Sequence, residues 1–471
     1  PPPRSERGFL ALTDLVASHK ATIASFIMEP IRLLHFADLH IGMENFGQID
    51  PATGVNTRVL DFIARLKDIA AQALERDADV VIFAGDAFKT RDPNPTYQRE
   101  FARHIKRMAD AGITVVLLVG NHDVPLVDKR ASSVDIFRTL DVPNVIVGSG
   151  ENLHRVETRR GPLQIGTLPW PQRTRLAQDE SLRGLTVDQL DREVEKLVEN
   201  RLAGLAAEVD PAIPAVLTGH FTVAGSVYGS ERNVMIGRDA IVSLAALTDP
   251  AWDYVALGHI HKHQSLNGAG YPAVVYSGSL ERIDFGEERD PKGYCWVEVT
   301  RGQTRWQFVP LPVRRFVTIN ADATEDGDTP TEAVLRAIAR EEIEDAVVRV
   351  RVKLLQRQEL FFKVREVEAA LSAARHVVGI GREVERDQRQ RLGIDNPETL
   401  TPPELLNAYL RSKVADPERR SELMRVAADF IPQACGPLHI DPVPNPQLPQ
   451  VGDPQRLPHQ IEPGPQPVQG H

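Results

Sequence analysis

The chain has 471 residues and a formal net charge of −10, and 42% of its residues are hydrophobic and 25% charged, as in ordinary globular proteins. This length allows two folded domains plus tails. The negative net charge argues against a protein that coats nucleic acid with a surface that is basic overall, but it is compatible with local basic faces. Only two cysteines occur, Cys295 and Cys435, which excludes a disulfide scaffold and a cysteine-based zinc finger and fits a reducing cytoplasm.

The first 30 residues carry charges throughout and hold no sustained apolar core, which does not fit a secretory signal. No window of the sequence is long or apolar enough to span a bilayer. We therefore predict a cytoplasmic protein without a membrane anchor. Met28 lies three residues before Ile31, where the first strand is predicted to begin, and is a candidate natural start, which would make residues 1–27 an upstream extension.

Five short apolar runs each lead into residues that can bind a metal, and four of them place a glycine just before those residues. The runs are Leu33–Ala37, Val80–Ala84, Val115–Val119, Pro214–Thr218 and Tyr254–Leu257, and they lead into Asp38-Leu39-His40, Gly85-Asp86, Gly120-Asn121-His122-Asp123, Gly219-His220 and Gly258-His259-Ile260-His261. Short apolar runs flanked by turn residues predict buried strands of a layered α/β fold, and sites are built at the ends of such strands. Five endings of this kind in chain order predict a two-metal hydrolase site.

These residues offer oxygen and nitrogen ligands and no thiolate, which favours Mn²⁺, Fe²⁺ or Zn²⁺ over Ca²⁺ or a structural zinc. A carboxylate at Asp86 can bridge two ions about 3.5–4 Å apart, the spacing that clamps a scissile phosphate. His122 is not needed as a ligand, which leaves it proton donation to the leaving oxygen or a hydrogen bond to the phosphate. Asp123 would fix the His122 tautomer or form a turn contact. His35 has the opposite parity to Asp38 and predicts a packed or solvated strand residue.

Around these strands, helical spacing predicts helices over Thr57–Ala73 and Pro95–Ala109. Ala273–Ser279 and Tyr294–Val299 predict later strands that close a sheet. A β–turn–β piece around Trp306–Leu311 is expected to end the catalytic domain.

A second unit starts near Arg314, and its sequence pattern predicts a small α+β domain. Its predicted elements are a strand at Arg315–Ile319, a helix at Pro330–Glu341, a strand at Val348–Leu354, a helix at Glu359–Ala373 and a strand at Val377–Val384. The strict alternation in Val348–Leu354 gives a half-buried strand with Arg349, Arg351 and Lys353 on its open face. That basic stripe would be a solvated face or a DNA contact.

Two short amphipathic helices are predicted near the end of the chain. Thr401-Pro402-Pro403-Glu404 has the form of a capping box with proline at the first helical position. The apolar faces comprise Leu405, Leu406, Tyr409 and Leu410 in the first helix, and Leu423, Met424, Val426, Ala427, Phe430 and Ile431 in the second. These faces would pack on each other, on the body of the protein or in a partner's groove. Beyond Cys435 the chain is proline-rich and polar, which predicts disorder.

The motifs D-x-H, G-D, G-N-H-D, G-H and G-H-x-H, in that order, resemble the calcineurin-like metallophosphoesterase superfamily. Finer features resemble one branch, the SbcD-type DNA repair nucleases. They are His35–Gly42, Gly85–Phe88 followed by Pro93-Asn94-Pro95, Tyr276–Leu280, Asp284–Glu288 and Lys292-Gly293. The resemblance covers about residues 31–432.

The resemblance implies a layered β-sandwich flanked by helices as the nuclease domain (31–311), preceded by an extension (1–30). It further implies a DNA-binding cap (312–386) and a helical ATPase-docking segment (387–434) before the tail (435–471). Metal one would be held by Asp38, His40, Asp86 and His261, and metal two by Asp86, Asn121, His220 and His259. His122 would be the catalytic histidine, and Mn²⁺ the expected ion.

The family acts as a 3′–5′ exonuclease on duplex ends and as an endonuclease on single strands or hairpins, in repair of double-strand breaks and in recombination. Its members pair with SbcC, an ABC-type ATPase with a long coiled coil, and dimerise, which implies a homodimer within a heterotetramer associated with the nucleoid. The terminal helix pair resembles the segment that grips the base of that coiled coil.

Some relatives carry a histidine after the G-D-x-F motif, where this chain has Lys89. The role of that histidine does not transfer, although Lys89 and Arg91 are candidates for phosphate contact. The competing hypothesis is a small-molecule or phosphoprotein phosphoesterase of the same superfamily. Protein phosphatases typically read G-D-x-x-D-R-G and G-N-H-E, and purple acid phosphatases need a tyrosine ligand soon after G-D; neither pattern occurs near Asp86. A non-enzymatic DNA-end scaffold would predict eroded ligands, and every expected position is filled.

Overall fold

The computed structural model describes residues 29–124, 130–172, 185–229, 240–385, 400–428 and 430. The chain divides into two compact units, residues 1–385 and 386–471. Residues 1–28 of the predicted N-terminal extension (1–30) and the proline-rich tail beyond Cys435 lie outside the described residues. Among the residues that are described, no helix is long and apolar enough to cross a bilayer.

The first unit contains two six-stranded sheets that pack face to face. Their strands are β1 (Ile31–Phe36), β2 (Val80–Phe83), β3 (Thr114–Leu118), β4 (Val145–Gly148), β5 (Asn152–Thr158), β6 (Gly161–Leu168), β7 (Ala215–His220), β10 (Tyr254–Gly258), β11 (Gln264–Ser265), β12 (Ala273–Tyr276), β13 (Gly293–Thr300) and β14 (Gln303–Pro310), while β8 (Thr222–Val223) and β9 (Ile241–Val242) form a separate pair. One sheet has the order β14-β13-β1-β2-β3-β4, and the other β11-β12-β10-β7-β6-β5. The centre of each sheet is parallel, and the strands at one or both edges are antiparallel.

The central strands are apolar on both faces because the opposite sheet covers one face and helices cover the other. Every residue of β2, β7, β10 and β12 is buried. Leu33 and Ile82 of the first sheet share one core with Val216 and Ala256 of the second. The layered sandwich predicted from the apolar runs is confirmed.

Helices flank this sandwich on its outer faces. Within the described residues they are α1 (Thr57–Glu75), α2 (Pro95–Asp110), α3 (Asp135–Thr139) and α4 (Val187–Glu208). The helices predicted over Thr57–Ala73 and Pro95–Ala109 correspond to α1 and α2 and are confirmed. α4 packs Val194, Val198 and Leu202 against the second sheet.

A small three-stranded sheet follows the sandwich within the first unit. It consists of β15 (Phe316–Asp322), β16 (Val347–Leu355) and β17 (His376–Glu385), with α5 (Pro330–Ile338) and α6 (Val364–Ala370) between them. The strands are all parallel, so they alternate with helices instead of forming the segregated arrangement that the term α+β implies. The helix expected over 359–373 is divided into a 3₁₀ turn at Gln356–Phe361 and α6.

The described part of the second unit is a helix pair. It comprises α7 (Pro402–Lys413) and α8 (Pro417–Ala428). The backbone N–H of Thr401 donates to the Glu404 carboxylate over 2.8 Å, as a capping box requires. Both predicted helices are present, but α8 ends before Phe430, and Ile431 lies outside the described residues.

Candidate metal centre

The metal-type side chains predicted from the sequence meet where β1, β2 and β3 of one sheet and β7 and β10 of the other sheet end. They are Asp38, His40, Asp86, Asn121, His220, His259 and His261. Six of these seven side chains are buried, and Asn121 is half-buried. The carboxyl ends of parallel strands gather at one edge of a sheet, so residues far apart in sequence become neighbours here.

The backbone at this edge is held in an unusual conformation. Asp38, His40, Asp86 and His259 all have positive φ, at 51°, 45°, 63° and 96°. Each such residue costs about 1–3 kcal/mol and persists only where its surroundings fix it. Here the N–H of Asp38 donates to the Gly85 carbonyl over 3.0 Å, and the N–H of His40 donates to the Asp86 carbonyl over 3.0 Å. The ligand loops therefore support one another.

The glycines that precede the ligands are required by close approach. A Cβ on Gly85, which has φ 102°, would lie 2.4 Å from Nδ1 of His220. A Cβ on Gly120 would lie 2.2 Å from Oδ1 of Asp86, and one on Gly258 would lie 2.2 Å from the Ala84 carbonyl oxygen. The glycine pattern seen in the sequence thus has a steric cause.

The potential ligand atoms form two adjacent groups. In the first, Nε2 of His40 lies 3.0 Å from Nε2 of His261, and ligand atoms of Asp38 and these two histidines all lie within 4.8 Å of one another. In the second, Oδ1 of Asn121 lies 3.0 Å from Nε2 of His220 and 3.2 Å from Nδ1 of His259.

Asp86 lies between the two groups. Its Oδ2 is 3.7 Å from Nε2 of His40 in the first group and 3.4 Å from Nε2 of His220 in the second. Its Oδ1 accepts a hydrogen bond of 2.8 Å from the backbone N–H of His122. A carboxylate with this placement can serve both groups at once.

The hydrogen-bond roles at His220 show that the pocket calls for a cation. Nδ1 of His220 lies 2.6 Å from the Ala84 carbonyl, so this nitrogen carries the proton in a neutral ring. Nε2 then presents a lone pair toward Oδ1 of Asn121 and Oδ2 of Asp86, which are both acceptors. The donor set of carboxylate, amide oxygen and imidazole suits borderline divalent ions. The residues present therefore fit divalent metal ions.

The electrostatics of these buried side chains also indicate that the pocket accommodates positive charge. Burial lowers the pKa of His220, but the Asp86 and Asp38 carboxylates outweigh burial and raise it to about 9. Burial tends to raise the pKa of Asp86, yet His220 and His122 hold it well below its usual range. Burial raises the pKa of Asp38. A proton on His220 partly neutralises the pocket when no metal does so.

His122 is oriented by a backbone carbonyl. Its Nδ1 lies 2.8 Å from the Lys89 carbonyl oxygen, so the neutral ring carries its proton there. Asp123 serves the turn instead: it accepts from the N–H groups of Asp86, over 2.8 Å, and Gly120, over 3.1 Å. The tautomer role considered for Asp123 thus falls to Lys89. His122 also lies close to a group of ligand atoms from His40 and Asp86.

His35 shows that not every strand histidine belongs to the centre. It is buried, and its ring nitrogens contact the Tyr254 hydroxyl at 3.1 Å and the Leu257 carbonyl at 3.2 Å. Burial lowers its pKa to about 3. The prediction of a packed strand residue is confirmed.

A buried charged pair behind His261 was missed by sequence reasoning. Nδ1 of His261 lies 2.9 Å from Oε1 of Glu287, and Nζ of Lys292 lies 3.0 Å from Oε2 of the same carboxylate. Lys292 also donates to Ser279 Oγ over 2.7 Å and to the His261 carbonyl over 3.0 Å. Glu287 and Lys292 both lie in segments that carry the family resemblance, but their spacing in sequence indicates no chemical role.

The side chains predicted to touch DNA have varied surroundings. Lys89 is half-buried, and Nε of Arg91 donates to the Val124 carbonyl over 2.6 Å. The Arg349 guanidinium lies 4.1 Å from the Phe285 ring centroid, so it is covered by the segment between β12 and β13 and does not lie on an open face. Arg351 is exposed, and Lys353 pairs with the Glu385 carboxylate at 2.5 Å.

The residues predicted to dock a partner lie on α7 and α8 or just after α8. Leu410 is buried, while Leu405, Leu406, Leu423 and Met424 are half-buried. Tyr409 and Phe430 are 49% and 63% exposed. The helix pair thus retains apolar area at its surface.

Comparisons with known proteins agree with this geometry. Residues 31–263 match the model of the calcineurin-like phosphoesterase family. The SbcD component of the SbcCD nuclease from Rhodobacter capsulatus is 27% identical over 79% of this chain and 91% of its own length. The corresponding SbcCD component from Bacillus subtilis is 26% identical over 60% of this chain and 70% of its own length. A DNA double-strand break repair protein Mre11 from Haloferax volcanii is 26% identical over 68% of this chain and 61% of its own length.

Proposed function

We propose that this chain, whose residues 31–263 belong to the calcineurin-like phosphoesterase family, is a metal-dependent DNA nuclease that hydrolyses phosphodiester bonds at a two-metal site. The observation that carries the proposal is the position of Asp86 Oδ2, 3.7 Å and 3.4 Å from imidazoles of two separate ligand groups. A shared carboxylate is the element that two-metal sites use to hold both ions at the spacing of a phosphate.

The first ion would be held by Asp38, His40, Asp86 and His261, and the second by Asp86, Asn121, His220 and His259. Two divalent ions held by these residues would supply positive charge to the phosphate and would lower the pKa of a bound water toward neutrality. The ligand set does not discriminate strongly among divalent ions, and Mn²⁺ is the ion we propose, on the family resemblance.

The chain's own groups carry out the remaining tasks. His122, with Nδ1 committed to the Lys89 carbonyl, can use Nε2 either to donate a proton to the leaving oxygen or to bond the phosphate. Glu287 holds the ring of His261 in one orientation through its 2.9 Å contact. The backbone N–H of His122 bonds Asp86 Oδ1 and so fixes the bridging carboxylate against the catalytic histidine.

DNA is the proposed substrate because one relative that spans most of this chain is named as a nuclease subunit and another as a DNA double-strand break repair protein. We propose 3′–5′ exonuclease action on duplex ends and endonuclease action on single strands and hairpins, in double-strand-break repair. Lys89, Arg91 and Arg351 are candidates for phosphate contact. Arg349 and Lys353 are weaker candidates because each already contacts a neighbouring side chain.

The division of labour along the chain is also proposed. Residues 31–311 form the nuclease, residues 312–386 the DNA-facing cap and residues 387–434 the docking segment for an SbcC-type coiled-coil ATPase. The exposed area at Tyr409 and Phe430 supports docking. Two copies of the chain would join two copies of the ATPase in a nucleoid-associated heterotetramer.

The test is cleavage of duplex and hairpin DNA, labelled at the 3′ or 5′ end, in Mn²⁺ and in Mg²⁺. Bis-p-nitrophenyl phosphate is assayed beside the DNA, and the Asp86→Ala protein controls for contaminating nucleases. The proposal expects Mn²⁺-dependent cutting that the control lacks. Turnover of the small ester with intact DNA, persisting when an SbcC-type partner and ATP are added, would instead favour a small-molecule phosphoesterase.

A further inference from the structure

A small cavity lies beside the metal centre and has no role in the chemistry described above. Its volume is about 240 Å³, and its wall includes Val119, Val124, Pro169, Trp170 and Gln172. Pockets for drug-sized ligands are usually about 300–1,000 Å³, so this one suits a single aromatic ring system. Its wall combines an indole and aliphatic groups with the side-chain amide of Gln172.

Trp170 connects this cavity to the metal ligands. Its ring centroid lies 5.0 Å from that of His259 and 6.3 Å from that of His220. Its backbone N–H donates to the Val119 carbonyl over 3.0 Å, which ties the indole to the segment that delivers Asn121. The indole is half-buried and therefore presents part of its surface to the cavity.

We propose that this cavity, the Trp170 pocket, binds the nucleobase of a nucleotide that flanks the scissile phosphate. The proposal rests on the proposed nuclease function and adds a base-binding subsite to it. Since the Trp170 ring centroid is 5.0 Å from that of His259, a base beside a phosphate at the two ligand groups would be close enough to reach this wall. Aromatic side chains stack on bases without regard to sequence because every base has a π-face.

Among the described residues that line the pocket, the charges favour a base over a second phosphate. The acidic group in its wall, Glu151, pairs with Arg201 at the rim, so the pair presents no net positive charge to an anion. Val119, Val124 and Pro169 are apolar. The amide of Gln172 can both donate to and accept from a base edge, which gives the pocket a polar contact that suits bases in general.

The experiment uses the full-length protein and single-stranded oligothymidylates in which one nucleotide is replaced by an abasic tetrahydrofuran residue, moved one position at a time. Product lengths identify the bond that is cut, so each bond reports its own rate with and without a neighbouring base. In the wild type we expect the abasic residue to slow cutting about tenfold at one fixed offset from the cut bond, within the range that alanine substitution gives for base–aromatic stacking. In Trp170→Ala the dependence on that offset should disappear.

Two variants accompany Trp170→Ala. Trp170→Phe keeps an aromatic platform and should retain the offset, while Trp306→Ala removes a half-buried tryptophan of β14 and should leave the offset unchanged. Because each protein is compared with itself on intact and abasic DNA, a general loss of activity or stability cancels.

The pocket would be refuted if Trp170→Ala slowed cleavage of intact and abasic DNA by the same factor. It would also be refuted if the abasic residue did not change the rate of cleavage by the wild type. Neither result would contradict the nuclease function. A wild type that hydrolyses bis-p-nitrophenyl phosphate and cuts none of the oligonucleotides would overturn the proposed nuclease itself, and the pocket with it.

Discussion

The buried pair behind His261 allows stability and metal binding to be tested separately. We consider Glu287→Gln, which preserves the shape of the side chain and removes its charge. Glu287 and Lys292 are both almost fully buried, at 0% and 1% exposure. The carboxylate accepts from Lys292 Nζ at 3.0 Å and from the Ile283 N–H at 2.8 Å, and it contacts His261 Nδ1 at 2.9 Å.

The structure leads to two distinct losses. Removing one partner of a buried ion pair leaves the other charge uncompensated, which costs about 3–5 kcal/mol of the free energy of unfolding. Replacing the carboxylate that orients a metal-binding imidazole lowers metal affinity about 10–100-fold. Stability is lost because the ammonium of Lys292 remains buried without a counter-charge. Metal affinity is lost because the ring of His261 is no longer oriented by a carboxylate.

A double variant separates these losses. Glu287→Gln combined with Lys292→Met removes both buried charges, and such replacements are often neutral or stabilising. We therefore expect urea unfolding in EDTA to show a large destabilisation for Glu287→Gln and recovery in the double variant. Titration calorimetry with Mn²⁺ should show weakened binding in both proteins, because neither has the carboxylate.

The result that would refute this reasoning is full metal affinity in the double variant. His261 would then be held by the rest of the fold, and Glu287 would serve only to neutralise Lys292. Equal stability of Glu287→Gln and the wild type would contradict the buried-charge argument instead.

The remaining predictions concern the ligands and their backbone. His122→Ala should retain both metals by mass spectrometry but lose cleavage, whereas Asp86→Ala should lose the metals as well as cleavage. Metal loss or normal cutting in His122→Ala would refute the assignment. Because the carboxylates raise the pKa of His220 to about 9, its proton must leave when a metal binds. Affinity for Mn²⁺ should therefore increase with pH up to about 9, and calorimetry in buffers of different ionisation enthalpy should show proton release at pH 7; pH-independent binding would count against this. Gly85→Ala forces a Cβ to within 2.4 Å of His220 Nδ1 and should abolish metal binding. Gly112→Ala is the control, because φ is 80° there and an added Cβ meets no atom beyond its chain neighbours within 4 Å. It should cost only about 1–3 kcal/mol of backbone strain, measured by thermal unfolding.

The sandwich and the ligand-bearing strand ends could be predicted because both depend on local pattern. Buried parallel strands appear in sequence as short apolar runs, and strand ends in such folds converge at one edge. The glycines before Asp86, Asn121, His220 and His259 marked those ends, and close contact enforces glycine at each of the four positions.

What could not be predicted depends on long-range partners. The contact between His261 and Glu287 spans 26 residues, and no periodicity links the two positions. Trp170 lies two residues beyond the end of β6. It comes next to His259 because β6, β7 and β10 are parallel neighbours in one sheet, an order that the sequence does not specify. The parallel order of β15, β16 and β17, by contrast, follows from the predicted alternation of strands with helices, which favours a parallel sheet over the α+β arrangement that we predicted.

The basic stripe on β16 was placed correctly by its sequence pattern, but its exposure was not. Alternation correctly placed Arg349, Arg351 and Lys353 on the face opposite the small domain's core, and β16 alternates between buried and more exposed residues. It could not show that Phe285, from a distant loop, covers the Arg349 guanidinium. The alternation of one strand shows which side chains share a face, but it does not show whether a distant segment covers that face.

The most direct test of the two-metal centre is a crystal structure of the protein grown with Mn²⁺, with the ions located by anomalous scattering. We predict two ions about 3.5–4 Å apart, both bound by Asp86, with His40 and His261 on one ion and His220 and His259 on the other. A single ion, or two ions that do not share Asp86, would contradict the account.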